Sequence, residues 1–232
     1  MECLSCLNHN CLIKKSLPLS SELENDISIK GIKCRKGQTF ILEGSPVYGL
    51  YFIRSGKVKV SVMGYQGKEQ ILRFAGNGDV VGHRGYGAGE VYKINATTME
   101  DSTICHVPNQ VLNLFFESNN TLAYNLMRFY SEELDRSETK VRNLAQMNVK
   151  EKVIDTLLHI NRKFGQRHGF IDLEMSRKEI ADYAGTTDEQ VIRIISALKK
   201  EALLTAKGKK IGIPNVELLK NEINKHHFYS ER

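Results

Sequence analysis

The 232-residue chain has no apolar run long enough to cross a bilayer as a helix, and its first residues lack the pattern of a secretory leader. Those absences set the expectation of a cytoplasmic protein with no membrane partner. No low-complexity tract occurs, and 41% hydrophobic residues are enough for packed cores. Catalytic strings are missing as well: there is no Gly-x-Ser-x-Gly, no His-Glu-x-x-His and no phosphate loop. A barrel metalloenzyme of the cupin-like class needs several His and carboxylate ligands converging inside it. Only His83 and His106 fall in the β-rich region described next, which argues against an enzyme.

What is present divides into three parts. From Ile32 to Val107, Lys57, Lys59 and Ser61 alternate with Val58, Val60 and Val62, the period of a half-buried strand. Gly44-Ser45-Pro46, Ser55-Gly56, Gly64-Tyr65-Gln66-Gly67 and Gly76-Asn77-Gly78 punctuate the region at intervals of about ten residues. Short strands at such spacing predict a small antiparallel barrel or jelly roll, crossed by a loop from Gly78 to Gly89. Beyond Pro108 the period becomes helical. Leu126, Tyr130, Leu134, Ser137, Val141 and Leu144 form one seam at steps of four and three, which either packs on its own barrel or pairs with a second copy of itself, and a homodimer through it is expected. Val149 to Phe164 reads as a second amphipathic helix, and Gly165 to Gly169 as a polar break. The expected domains are 1–118 (barrel with an N-terminal cysteine segment), 119–146 (dimerisation helix) and 147–232. The whole is an α+β chain.

The third part carries the chemistry. Ser176 precedes Arg177-Lys178-Glu179 at capping-box spacing, and the helix so started would bury Ile180, Ala181 and Ala184. Gly185-Thr186 makes a turn. Thr187 with Gln190 starts a second box, and Val191, Ile194, Ile195 and Leu198 line the inner face of the next helix. Helix, glycine turn and helix is the helix-turn-helix pattern. Its outer face holds Asp188, Glu189, Ile192, Arg193, Ser196 and Lys200. Arg193 suits guanine O6 and N7, Glu189 a cytosine amino group, and Ile192 a thymine methyl. Ser176, Arg177 and Lys199 suit phosphates. Leu203 to Ile213 reads as a hairpin around Lys207-Gly208 with Lys209 and Lys210 on its exposed edge, which makes a winged helix-turn-helix. Net charge agrees in sign: the chain is +6, and from Met147 onward 16 Lys and Arg face 12 Asp and Glu. The bland reading is a solvated helical hairpin; a nucleotide-sensing adaptor without DNA contact is a further alternative.

Nearly the whole chain resembles the catabolite activator/fumarate-nitrate regulator (CRP/FNR) superfamily. The resemblance rests on Lys36-Gly37-Gln38, on Leu50-Tyr51-Phe52-Ile53-Arg54-Ser55-Gly56, on Gly78-Asp79-Val80-Val81-Gly82, and on Glu189 followed by Arg193. It implies a cyclic-nucleotide-binding-type barrel, a long dimer helix, a palindromic double-stranded DNA site and RNA polymerase as a partner. The nucleotide-binding members carry a glutamate and an arginine that this chain lacks: Gly82-His83-Arg84 and Tyr92-Lys93-Ile94-Asn95 stand there. Gly82, His83, Arg84 and Lys93 remain candidates for an effector pocket, with Arg84 and Lys93 able to attract an anion, but cyclic AMP is disfavoured. In the fumarate-nitrate branch a serine usually precedes the recognition arginine, whereas Ile192 stands here.

Cys3, Cys6 and Cys11 form C-x2-C-x4-C, and Cys105 lies far along the chain. Oxygen-sensing members of that branch hold a [4Fe-4S] cluster on a similar triplet, with a somewhat longer last spacing, and on one cysteine at the place of Cys105. The resemblance therefore implies a cluster on Cys3, Cys6, Cys11 and Cys105, with Cys34 a buried bystander. On the residues alone, zinc, haem through His83 or His106, or no metal stay open.

Overall fold

The computed structural model describes residues 6–16, 29, 31–86, 89–118 and 120–223. The chain forms two compact units, Met1–Ser137 and Glu138–Arg232. No helix among the described residues is long and apolar enough to cross a membrane.

The first unit is built on two four-stranded antiparallel sheets. One runs β1 (Gly31–Cys34), β8 (Ser102–Pro108), β3 (Gly49–Ser55), β6 (Val80–Val81); the other runs β2 (Thr39–Ile41), β7 (Asn95–Thr98), β4 (Val58–Met63), β5 (Glu69–Ala75). Strand β3 shows why the pair closes into a double-cored structure. Successive side chains of a strand point to opposite faces, so Leu50 and Phe52 enter one core while Ile53 enters the other. The inner core also takes Cys34, Ile41, Val58, Val60, Val81, Tyr92 and Ile104. The outer core is covered by helices: α1 (Leu12–Lys15), α2 (Asn109–Ser118) and the first half of α3 (Asn120–Gln146) supply Ile13, Leu112, Phe115, Leu122 and Leu126.

Two sequence expectations are corrected here. The alternation along β4 breaks at Ser61, which is buried, because the register with β5 shifts between Val60 and Ser61. Such a bulge turns the next residue to the other face, and Ser61 Oγ donates to Glu69 Oε1 at 2.7 Å. The Gly78–Gly89 stretch is not wholly loop either: it contains β6 and a 3-10 turn at His83–Gly85.

The seam on α3 also divides. Leu126 is buried and Tyr130 half-buried against the barrel core, Ser137 Oγ donates to the Glu133 carbonyl, and Leu134 and Val141 are exposed. A helix with more than one neighbour carries more than one apolar stripe, and a single stripe read from the sequence merges them. The exposed apolar residues of α3 are instead Tyr124, Met127, Leu134 and Val141, the last three spaced one heptad apart.

In the second unit α4 (Val149–Phe164) opens on a capping box between Asn148 and Glu151. The expected polar break is a small hairpin, β9 (Gln166–Arg167) with β10 (Phe170–Ile171). Then come α5 (Arg177–Ala184), α6 (Asp188–Lys200), the hairpin β11 (Thr205–Lys207) with β12 (Lys210–Gly212), and α7 (Val216–Asn221). Gly185 ends α5 at φ +67, the left-handed conformation, and a Cβ there would stand 3.2 Å from Leu144 Cδ2. Gly185→Ala should therefore cost this unit about 1–2 kcal/mol in backbone strain alone, read as a lower urea midpoint of its unfolding transition. An unchanged midpoint would contradict this account of the turn.

Candidate nucleic-acid interface and cysteine site

Helix α6 is held from below and left open above. Val191, Ile194, Ile195 and Leu198 are buried, whereas Thr187, Asp188, Glu189, Ile192, Arg193, Ser196, Lys199 and Lys200 are exposed. The first capping box is complete: Ser176 Oγ accepts from the Glu179 amide at 3.1 Å, and Glu179 Oε2 accepts from the Ser176 amide at 2.8 Å. The second is half formed. Thr187 Oγ1 accepts from the Gln190 amide at 3.4 Å, but the Gln190 side chain turns instead to Thr186 Oγ1 at 3.2 Å.

Glu189 is fully exposed, and the Thr187 hydroxyl beside it holds its carboxyl below the usual range. It is thus a pure acceptor, the state that a cytosine amino group requires. Half-buried Arg177 donates through Nη2 to the Gly208 carbonyl at 3.3 Å, tying the start of α5 to the hairpin tip. Lys209 is exposed at that tip, and exposed Lys210 lies 3.5 Å from Glu174, an ion pair too solvated to hold it. The exposed Lys and Arg of α6 and the hairpin can all reach a polyanion, while the one large exposed apolar side chain on α6 is Ile192, 51% exposed.

The four effector candidates point different ways. A Cβ on Gly82 would meet Tyr92 at 3.0 Å and Ile41 at 3.2 Å, so its backbone rests on the filled barrel interior. There the Tyr92 hydroxyl donates to the Gly49 carbonyl at 2.7 Å, and Phe40, Tyr51 and Tyr92 pack as neighbouring rings. Arg84 turns outward to Ser137 Oγ at 2.8 Å, and Lys93 is exposed. His83 is buried edge-on to Phe129 (4.8 Å) and Tyr130 (5.3 Å). Burial, then the charges of Arg73 and Arg84, push its pKa down to about 2. Nearby, Glu133 lies between Arg73 (3.2 Å) and Arg136 (2.7 Å). Sequence reasoning missed this joint: nothing in a linear pattern links residues 73 and 133.

Three of the cysteines named from the sequence line the same cavity. Cys6, Cys11 and Cys105 line one mostly apolar cavity with Ile13, Ile29, Phe52 and Val107; Cys3 lies outside the described residues. Cys11 is the N-cap of α1, and Cys105 stands on β8 opposite Phe52. Asn8, Lys14 and Arg54 share the cavity wall. Burial raises the Cys11 thiol pKa, and it raises that of Cys105 with a smaller contribution from Cys11 and Cys6. Among the described residues no three His, Cys, Asp or Glu side chains are grouped so as to hold a metal ion. Cys34 is buried in the inner core instead.

Residues 32–119 match the model of the cyclic nucleotide-binding domain, and residues 151–222 that of the Crp-like helix-turn-helix domain. The fumarate nitrate reduction regulatory protein of Klebsiella oxytoca is 33% identical over 202 residues, 85% of this chain and 80% of that protein. The chain belongs to the CRP/FNR family of transcription regulators. The fumarate and nitrate reduction regulatory protein of Escherichia coli K12 matches to the same extent. FixK2 from Bradyrhizobium japonicum superposes with a TM-score of 0.75 at 26% identity, covering 84% of this chain and 97% of that one. A CRP/FNR-family regulator from Thermus thermophilus shares the fold at a TM-score of 0.67 and 20% identity, over 83% of this chain and 97% of that one. The chain is accordingly a DNA-binding transcription regulator with a cyclic-nucleotide-binding-type sensing domain, and its relatives are regulators rather than enzymes.

Two outcomes follow from these geometries. Arg193→Ala should cost about 1–3 kcal/mol of operator affinity and relax one base position; a binding-site selection with preference unchanged there would refute the assignment. The His83 ring stays neutral when folded and takes a proton near pH 6.5 when unfolded, so stability is full above that value and falls as pH drops below it. The loss by about pH 5 is about 2 kcal/mol. Thermal unfolding across pH should show this acid limb in the parent chain and a flatter one in His83→Phe.

Proposed function

We propose that this regulator is a homodimer that responds to oxygen or redox state through a [4Fe-4S] cluster on Cys3, Cys6, Cys11 and Cys105, and that it acts in the cytoplasm at palindromic operators beside RNA polymerase. The observation that carries the reading is the meeting of Cys6 and Cys11 with Cys105, from the far side of the barrel sequence, around one cavity. The residues fit the group by chemistry: the donors are thiols, the wall behind them is apolar, and Lys14 and Arg54 stand where they offset the negative charge of a thiolate-ligated cluster. When bound, such a cluster supplies an oxygen-labile redox centre.

The chain's own residues do the rest. Ile13, on the helix that Cys11 caps, shares the outer core with Leu122 and Leu126 of α3. A change at the cysteines thus reaches the root of α3 through contiguous packing. The exposed stripe Tyr124, Met127, Leu134 and Val141 would pair with its copy as a short coiled coil. Two-fold symmetry then requires the α6 helices to meet successive major grooves roughly 34 Å apart. Arg193 and Glu189 read bases, while Ser176, Arg177, Lys199, Lys209 and Lys210 hold phosphates. A change in how the two α3 helices pair shifts the population able to bind.

Protein purified without oxygen should be coloured, with broad visible absorption bleached by air and about four irons per chain. Colourless, iron-free anaerobic protein that reconstitution cannot load would end the cluster reading and leave the DNA-binding assignment untouched.

A further inference from the structure

We infer that Asn8 is a positioning residue that docks the Cys6–Cys11 loop on the barrel and so presents both thiols to Cys105. Its side-chain amide donates to the Ile53 carbonyl at 3.2 Å and to the Arg54 carbonyl at 3.1 Å. The receiving carbonyls belong to the end of β3, where the pairing with β8 slips between Ile53 and Ser55 and skips Arg54. A bulged residue is left out of the ladder, so the Arg54 carbonyl faces outward and Asn8 takes it up.

The same residue also shapes the loop it anchors. Asn8 Oδ1 accepts from the Asn10 amide at 3.1 Å, the Asn8 amide is directed at Cys6 Sγ at 3.5 Å, and the Asn8 carbonyl accepts from the Cys11 amide at 3.4 Å. Each flanking cysteine is therefore bonded to Asn8. On the other side Asn10 packs so closely on Gly78 that a Cβ there would sit 2.7 Å from Asn10 Cβ. A short loop between Cys6 and Cys11 has little backbone to spare, and one side chain bonded in both directions fixes where both thiols lie. Asparagine alone meets the demand: aspartate lacks the two N–H donors, and glutamine sets them one methylene farther out.

The docking half of the inference stands on these bonds; the presentation half rests on the cluster reading above. Asn8→Asp preserves shape and removes both donors, and Asn8→Ala removes the whole group; circular dichroism and operator-independent dimer size check that each variant is folded. In iron-free, thiol-reduced protein, amide hydrogen exchange of residues 7–15 should rise about ten-fold in both variants while β3 and β8 are unaffected. Equal exchange in parent and variants overturns the docking role. After anaerobic reconstitution, iron and sulfide occupancy should then fall in both variants, with affinity weakened about 10–100-fold as for other supporting contacts around metal ligands. Faster exchange with parental iron loading overturns presentation. A parent chain that loads no iron, with exchange still faster in the variants, overturns presentation and the cluster reading together and leaves docking in place.

Discussion

The root of α3 is fixed to the barrel by burial, and the rest of the first unit is arranged around that contact. Leu122 and Leu126 are sunk among Leu50, Phe52, Val107, Leu112 and Phe115, residues of two strands and a preceding helix. At roughly 1.5–3 kcal/mol for each fully buried large aliphatic side chain, the helix cannot leave the barrel without losing a large share of a domain's net stability. One turn or two farther on, polar contacts replace apolar ones. Glu133 sits between two guanidiniums, Tyr130 donates to the His83 carbonyl, and Arg84 reaches Ser137. Such contacts depend on precise geometry, unlike the apolar packing below them.

The cysteine cavity opens onto the same core. Cys105 and Phe52 are cross-strand partners, and Phe52 packs in the core that holds Leu126. The barrel interior, by contrast, is lined by the rings of Phe40, Tyr51 and Tyr92. Tyr92 satisfies its hydroxyl on the Gly49 backbone, and Tyr51 lies against both Phe40 and His106. The sequence lacks the family's nucleotide-binding glutamate and arginine and carries Cys3, Cys6, Cys11 and Cys105.

The DNA-binding unit is the more conventional half. A buried stripe orients α6, a complete capping box starts α5, and Gly185 supplies the one left-handed residue that the turn needs. Ile192 departs from the serine usual in the fumarate-nitrate branch and is exposed on the outer face of α6.

Local patterns were readable in the chain because they follow from short-range geometry. The bounds of α4, the two helices of the motif, the hairpin at Lys207-Gly208 and the alternating strands all arise from period, caps and turn residues. So did the exposure of Glu189 and Arg193, since residues on one side of a helix are set once the apolar stripe is known. What no linear pattern contains is the choice of partner. That Leu126 and Tyr130 pack on the barrel while Leu134 and Val141 stay open, that Glu133 answers Arg73, that the Val60–Ser61 bulge turns Ser61 inward, and that Asn8 finds the carbonyl of Arg54 each depend on surfaces brought together from distant segments. Burial and hydrogen-bond satisfaction are settled between elements, and only the tertiary structure says which elements meet.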